Sequence, residues 1–432
     1  MNKVGLWAAS ALAAVLLVCG VSLYYTSTLF DEGLRKSVAN LNTQFRSPEL
    51  QLQFSLTGDS SLLSADYQLI ILVEESEISP IDGEEVALNI HADYLPFIAN
   101  YMATLAGGDL KAELRAAMNN TPEPLTIDVT GFFNPISQQL STNGSLRIAE
   151  VDTIVDKRVD VTLAETGLDF EHQGDTLISK LQAGPFKASE GSVVLSLNRL
   201  FAETTARTSK DFTSFSLPES AESALILEQF YLIDRHGEGL SFDKFGITSE
   251  QYRQDTSMIM DTVLTLDEMV ELADQKSIPN IEKLTANLSV GAGLQSMIKV
   301  SGLVDNLTPQ QKQNPLLAVG ILDEMLAEGV DLTVNELSLV SDGGNAKATL
   351  DARLHPIKVM EAILTPDAAV EKVVAQGQIS FDSQLSNYLP LRTQILLVDF
   401  ANQGFLSTEN DQFSSSFDLR KGKLVVNDIN VN

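Results

Sequence analysis

Four histidines, His91, His172, His236 and His355, are the side chains here best suited to bind a transition metal or move a proton near neutral pH. No two form an H-x-x-x-H pair and none lies in H-E-x-x-H, so no single helix turn offers two of them to one ion. Gly239-Leu240-Ser241-Phe242-Asp243 begins as a nucleophile elbow does but lacks its second glycine. Gly291-Ala292-Gly293 fails the third position of a dinucleotide loop, and the sequence holds no Walker loop and no D-x-D-x-D-G calcium loop. Acidic pairs such as Asp82-Gly83-Glu84-Glu85 and Asp323-Glu324 offer the two carboxylates of a glycan hydrolase. With 58 acidic residues in a chain of 432, however, such pairs are expected on any solvated face. The sequence therefore reads as a protein that is not an enzyme, with no catalytic, cofactor-binding or metal-ligating residue to name and no cofactor.

Charge narrows the partners. Lys and Arg number 29 against those 58 acids, a net of −29. Such a surface repels nucleic acid and anionic lipid headgroups alike. Cys19 is the only cysteine and lies in the apolar opening stretch, so the rest of the chain has neither disulfides nor thiolate chemistry.

That opening stretch, Val4 to Tyr25, runs 22 residues without a charge. About 20 apolar residues suffice for a helix to cross a bilayer. Lys3 precedes the run, Asp31 is the next charge, and Trp7 and Tyr24-Tyr25 sit where interfacial aromatics belong. A cleaved signal would have a shorter apolar core and small residues before its cut. Leu16-Leu17-Val18-Cys19 ends as a lipobox does, but Val18 replaces the small residue wanted there. The expectation is an uncleaved signal anchor in the bacterial inner membrane, N-terminus cytoplasmic and body periplasmic. Ala9-xxx-Ala13 and Ser10-xxx-Ala14 are small-xxx-small spacings through which two copies could pair.

Beyond it, Phe30, Leu34, Val38, Leu41 and Phe45 put one apolar stripe on a helix that Pro48 ends. The stripe fits packing on the protein's own domain, or a short two-chain coiled coil. Then strands dominate. Tyr67–Val73 is a continuous apolar run, while Val159–Leu163, Val193–Leu197, Leu284–Val290 and Ala346–Leu354 alternate as half-buried antiparallel strands do. Hairpins are expected around Ser341–Asn345 and Arg235–Gly239. Helices are expected over Tyr94–Met118, broken at Gly107-Gly108, and over Asp255–Asp274. Others should start at Asn314-Pro315 and Thr365-Pro366-Asp367, with a last one over Leu391–Asn402. The fold class is α+β: β-rich, largely antiparallel sheets with interspersed helices behind a single N-terminal transmembrane helix. The divisions are 1–30 for the anchor, 31–48 for the juxtamembrane helix, and 49–220 and 221–432 for two α+β halves that meet within Thr204–Ala221.

The C-terminus reads as a hairpin: Phe413, Ser415, Phe417 and Leu419 on one face, a turn at Arg420–Lys423, and a return from Leu424 to Val431. Lys421-Gly422-Lys423-Leu424-Val425-Val426-Asn427-Asp428 resembles the "NG-x-L-x-x-NG" strand that closes the YdgA-like family of uncharacterised bacterial envelope proteins. Lys stands for the first Asn of that pattern and Asp for the last Gly. The anchor, the early strand at Tyr67–Val73 and the helix–hairpin close follow the same layout. The resemblance implies inner-membrane attachment and a periplasmic body, and it supplies no catalytic residue. Three functions are consistent with all this. The first is a non-enzymatic protein that binds an envelope partner or supports envelope assembly. The second is lipid or hydrophobic-ligand handling through an apolar β-groove, as in AsmA-type envelope proteins. The last is a glycan hydrolase using paired carboxylates.

Overall fold

Strand alternation governs the architecture. The computed structural model describes residues 22–431 apart from 40, 43–49, 77–84, 108–111, 113–114, 116–117, 119–120, 138, 156–157, 208–217, 274–276 and 306–314. The expected anchor up to residue 21, with Trp7 and Cys19, lies outside the described residues, as do Phe45, Pro48 and Asp82–Glu84. Among those described, no helix is long and apolar enough to cross a membrane. The chain forms two compact units. The first comprises Met1–Val151, Glu165–Lys180 and Lys210–Thr213; the second comprises Asp152–Ala164, Leu181–Ser209 and Ser214–Asn432.

In the first unit, β1 (Leu50–Ser60), β2 (Ser64–Ser76), β3 (Glu85–Leu95), β4 (Ile98–Gly107), β5 (Leu125–Asn134) and β6 (Gln139–Ile148) form an antiparallel meander. β9 (Thr166–Gln173) pairs with β6, while β7 (Val151–Val155) and β8 (Val159–Leu163), which precede it in the chain, belong apart from Val151 to the second unit. Directly paired residues share a sheet face, so each rung is all apolar or all polar when the alternation is in register. Ala65, Tyr67, Ile90, Ala92, Tyr94, Ala99 and Ala103 form the buried face. A helix over residues 22–39 and 41–42 lies on it. Its stripe has the expected phase: Phe30 and Val38 are buried, and Leu23 and Leu34 pack against the same cluster. The alanines let the helix come close, and the Phe30 ring sits 5.9 Å from that of Tyr94 and 5.7 Å from that of Tyr101.

Polar contacts fix the helix's register. The Tyr67 hydroxyl donates to Asp31 Oδ1 at 2.7 Å, and Arg35 Nε donates to both Asp31 oxygens at 3.1 Å. Burial pushes the Asp31 carboxyl up, but the bonds from Arg35 and Tyr67 outweigh it and hold the group below its ordinary value. Burial, and then the bond to Asp31, raise the Tyr67 phenol. Further along, the Asn42 amide exchanges two hydrogen bonds with the Phe54 backbone, each 2.6 Å.

The second unit is a longer meander. β10 (Thr176–Ala183), whose residues up to Lys180 belong to the first unit, leads to β11 (Phe186–Glu190), which pairs with β8 and with β12 (Val193–Arg207). β13 (Ser220–Ile233), β14 (Gly239–Gln254), β15 (Ser257–Leu272) and β16 (Ile281–Gly293) follow as successive antiparallel neighbours. β17 (Val330–Ser341), β18 (Gly344–Leu354) and β19 (Val373–Asp382) extend the run. β20 (Ser407–Glu409) and β21 (Gln412–Arg420) come next, with β21 on β19; β22 (Lys423–Val426) and β23 (Ile429–Asn430) end it.

The β-rich, largely antiparallel reading therefore holds, with two corrections. Tyr94–Gly107, the first part of the expected Tyr94–Met118 helix, is not helical: it is the β3–β4 hairpin, turning at Pro96-Phe97. Asp255–Asp274 is not a helix either; it is filled by β15. The helices Pro315–Met325, Pro366–Glu371 and Leu391–Asn402 stand where expected, with Gly329 and Gly404 at positive φ beyond the first and last. Leu294–Asp305 and Val359–Leu364 are additional helices. The C-terminal return strand is interrupted, because Asn427 and Asp428 take positive φ between β22 and β23. Asn427 there substitutes for a strand neighbour, its Oδ1 accepting from Ser416 N–H at 2.9 Å.

Phe30→Ala should lower the stability of the first unit by about 3 kcal/mol, the usual cost of removing a buried phenylalanine. Tyr67→Phe should cost about 2 kcal/mol, as for a hydrogen bond to a charged partner. Hydrogen exchange of the β3 and β4 amides would measure both, and unchanged protection in Phe30→Ala would refute the docking role of the helix.

Candidate functional site: an uncovered apolar sheet face

Register in the second unit lines up one face over nine strands, β12 to β19 and β21. One rung reads Ala202, Leu225, Ile247, Leu264, Ala286, Leu337, Ala348, Ile379 and Ser415. The next rung on the same face reads Leu200, Leu227, Phe245, Leu266, Leu284, Leu339, Ala346, Phe381 and Phe413. On the other side of the first rung, Leu288, Val334, Leu350, Gly377 and Phe417 continue the pattern. A Cβ on Gly377 would sit 2.7 Å from the Phe417 ring, so glycine is what lets that ring lie across β19. At a strand spacing of about 4.8 Å, the nine strands give an apolar floor about 40 Å across.

The face stays apolar past a phase slip. Along β12 to β15 the apolar spacing changes from two to three at one line: Leu197 to Leu200, Leu227 to Phe230, Phe242 to Phe245 and Leu266 to Met269. Strict alternation would send the outer residues to the opposite face. Gln229 and Glu268 take φ of 53° and 54° at this line, and the Phe242 and Phe245 rings lie 6.3 Å apart. Two strained residues thus keep the outer aromatics with the floor, and Phe230 stacks on Phe242 at 4.9 Å.

No second layer covers the middle of this floor among the described residues. Leu337 and Ile379 are 42% and 45% exposed, and Met260 is 43% exposed. Helices edge both ends of the strands instead. At one end Leu294–Asp305 packs on β15 and β16, and Met258 is only 4% exposed, two residues from Met260 on the same face. Asp323 Oδ1 accepts the Val359 N–H at 2.6 Å and Lys299 pairs with Glu324 at 3.2 Å, so the Asp323-Glu324 pair ties rim helices together. At the other end, Tyr388 lies against the β17–β18 turn at Gly343. Ser415, on the floor, donates to Phe405 O at 2.8 Å, so the chain leaving the Leu391–Asn402 helix crosses the floor side at β21. That helix exposes Leu391, Ile395 and Val398 on one stripe. The result is a trough with an apolar floor and helical rims.

The opposite face is polar. Glu222, Glu250 and Asp261 lie on adjacent strands of one rung, beside Glu203, around a shallow concavity of about 450 Å³. Tyr252 donates to Asp261 Oδ2 at 3.0 Å.

The four histidines are scattered. His172 is buried in β9, and burial lowers its pKa. The backbone N–H of His236 bonds to Asp234 in the β13–β14 turn at 2.8 Å, and His355 is exposed after β18. His91 lies between two aspartates on the polar face of the first unit, with Nδ1 2.7 Å from Asp66 and Nε2 3.3 Å from Asp93. Among the described residues, no three His, Cys, Asp or Glu are placed to hold a metal ion.

The second unit thus presents an antiparallel sheet with one acidic face and one apolar face. The family model described as bacterial protein of unknown function (DUF945) matches residues 1–432, and the chain belongs to that family. No curated protein matches it.

Two measurements follow. Leu337→Ser and Ile379→Ser should each change unfolding free energy by less than about 1 kcal/mol, as at a surface position; losses of about 3 kcal/mol would mean the floor is a closed core. The bond from Asp66, opposed by slight desolvation, raises the His91 pKa. Its stabilisation is therefore full below the unfolded histidine value of about 6.5 and fades as pH rises through the higher folded value. Asp66→Asn should bring the His91 NMR titration midpoint down towards that ordinary value, and an unmoved midpoint would show the contact is not formed in solution.

Proposed function

We propose that this is a non-catalytic protein of the bacterial envelope that carries acyl chains on the trough of its second unit. The observation that carries the reading is the apolar floor, whose three central rungs hold no charged residue and whose middle is open to solvent, in a chain whose net charge is −29. Large exposed apolar patches mark binding surfaces. A second protein layer would have to clear the helix Leu294–Asp305, which stands at one end of the strands, whereas a flexible hydrocarbon chain has only to lie along the floor.

Location belongs to the same proposal. The apolar run Val4–Tyr25 supports a single inner-membrane anchor with a periplasmic body, and the YdgA-like layout of the tail agrees with it. An envelope-assembly role through a protein partner is the second reading, favoured by the exposed stripe of the Leu391–Asn402 helix.

Benzoyl-phenylalanine placed at Leu337 or Ile379 of the full chain in cells should, on irradiation, give lipid adducts detectable by mass spectrometry. The same probe at Asp351 or Gln378, on the polar face, should give none. Protein-only adducts at Leu337 and Ile379 would replace the lipid reading with the partner reading.

A further inference from the structure

The floor is not uniform along its length. From β16 to β21 its three central rungs hold Leu, Val, Ala, Ile, Gly and Phe with one hydroxyl, Ser415, which is already bonded to Phe405 O at 2.8 Å; Ser341, at the end of β17 on the same face, is likewise bonded to Gly344 O at 2.6 Å. Over β12 to β15 the rung aligned with Leu288 reads instead Thr204, Ser223, Ser249 and Thr262. Ser249 and Thr262 bond to each other at 3.2 Å. One rung further, Gln251 pairs with Met260, and its Nε2 is buried without an acceptor among the described residues. Arg253, exposed, follows two residues along the same strand. A buried amide donor left unbonded destabilises the folded chain. Of the buried polar atoms left unpaired among the described residues, it is the one on this face.

We infer that the trough holds its amphiphile in one orientation, with a head rich in acceptor oxygens at Gln251, Ser249 and Thr262 and the acyl tail extended across β16 to β21. This inference rests on the acyl-chain reading above. Ester carbonyl and phosphate oxygens are the acceptors that Gln251 Nε2 lacks, and Arg253 favours an anionic head over a cationic one. A tail turned the other way would lay methylenes over Gln251 and leave the head's oxygens on the Leu, Val and Phe rungs without donors. Both errors cost binding, so one orientation dominates.

The test uses two photoreactive forms of a single-chain phosphatidylglycerol, one with a diazirine at the tail terminus and one with it beside the ester. Each is added to membranes containing the full-length chain, and adducts are mapped by peptide mass spectrometry. The ester-proximal probe should label β14 and β15 over β19 and β21 by about fivefold, the worth of one net hydrogen bond, and the tail probe should show the reverse preference. Gln251→Leu should reduce that bias towards equality while keeping the total labelling of the floor. Equal labelling of both ends by both probes would overturn the orientation and leave the acyl-chain reading standing. Absence of adducts anywhere on the floor would overturn both.

Discussion

An antiparallel sheet one strand thick has two faces, and apolar alternation makes one of them unwilling to meet water. The two units answer that constraint differently. In the first, the helix over residues 22–42 covers the apolar face, and Ala65, Ala92 and Ala99 are small enough for Phe30 to seat among Tyr94 and Tyr101. In the second, the same alternation extends over more strands, yet the described residues supply helices only at the strand ends. Met258 is buried while Met260 is not. Stability there rests on long ladders and cross-strand pairs such as Phe230–Phe242 and Phe381–Phe413, each contributing about 0.2–1 kcal/mol. The contrast is between one unit whose apolar face is covered by a helix of the same chain and another whose apolar face is uncovered in its middle among the described residues.

The acidic face completes the logic. Like charges directly opposite on neighbouring strands cost stability, yet Glu222, Glu250 and Asp261 share a rung. They remain tolerable because that face is solvated, and they make it repel other copies of an already acidic chain. An apolar face on the reverse can then stay open with less risk of stacking through the back of the sheet. Charge at this position is a solubility device before it is a candidate for chemistry.

Much of the fold was legible in the sequence, and the misses have one cause. Proline at N1 marked Pro315–Met325 and Pro366–Glu371, and glycine beyond the C-terminus marked Pro315–Met325 and Leu391–Asn402, since those signals are local. β15 was misread because its period slips. Ile259, Val263, Leu266, Met269 and Val270 mix residues of both faces with the three-residue step at the Glu268 line, and together they mimic a helical stripe. Tyr94–Gly107 failed similarly, because the turn at Pro96-Phe97 joins two strands into one apparently periodic run. The trough itself was not legible. Each alternating strand was visible, but whether nine of them align their apolar residues on one face depends on register, which a single strand does not encode. In the continuous apolar run Tyr67–Val73, Tyr67 holds a helix through Asp31, a contact between distant segments that the run itself does not encode.

What would complete the second sheet can be argued from energetics as well as shape. Burying apolar surface is worth about 25 cal/mol per Å², so any occupant of the floor gains in proportion to what it covers. A protein layer must also order its own side chains and clear the rims, whereas an acyl chain needs only to straighten. A ligand bound only by the folded state adds RT ln(1 + [L]/Kd) to its stability. The sheet would then be most stable when loaded, and the strain at Gln229 and Glu268, kept to hold Phe230, Phe242 and Met269 on the floor, would be offset when the floor is occupied. Residues held at positive φ here keep apolar rings on a face whose middle the described residues leave open.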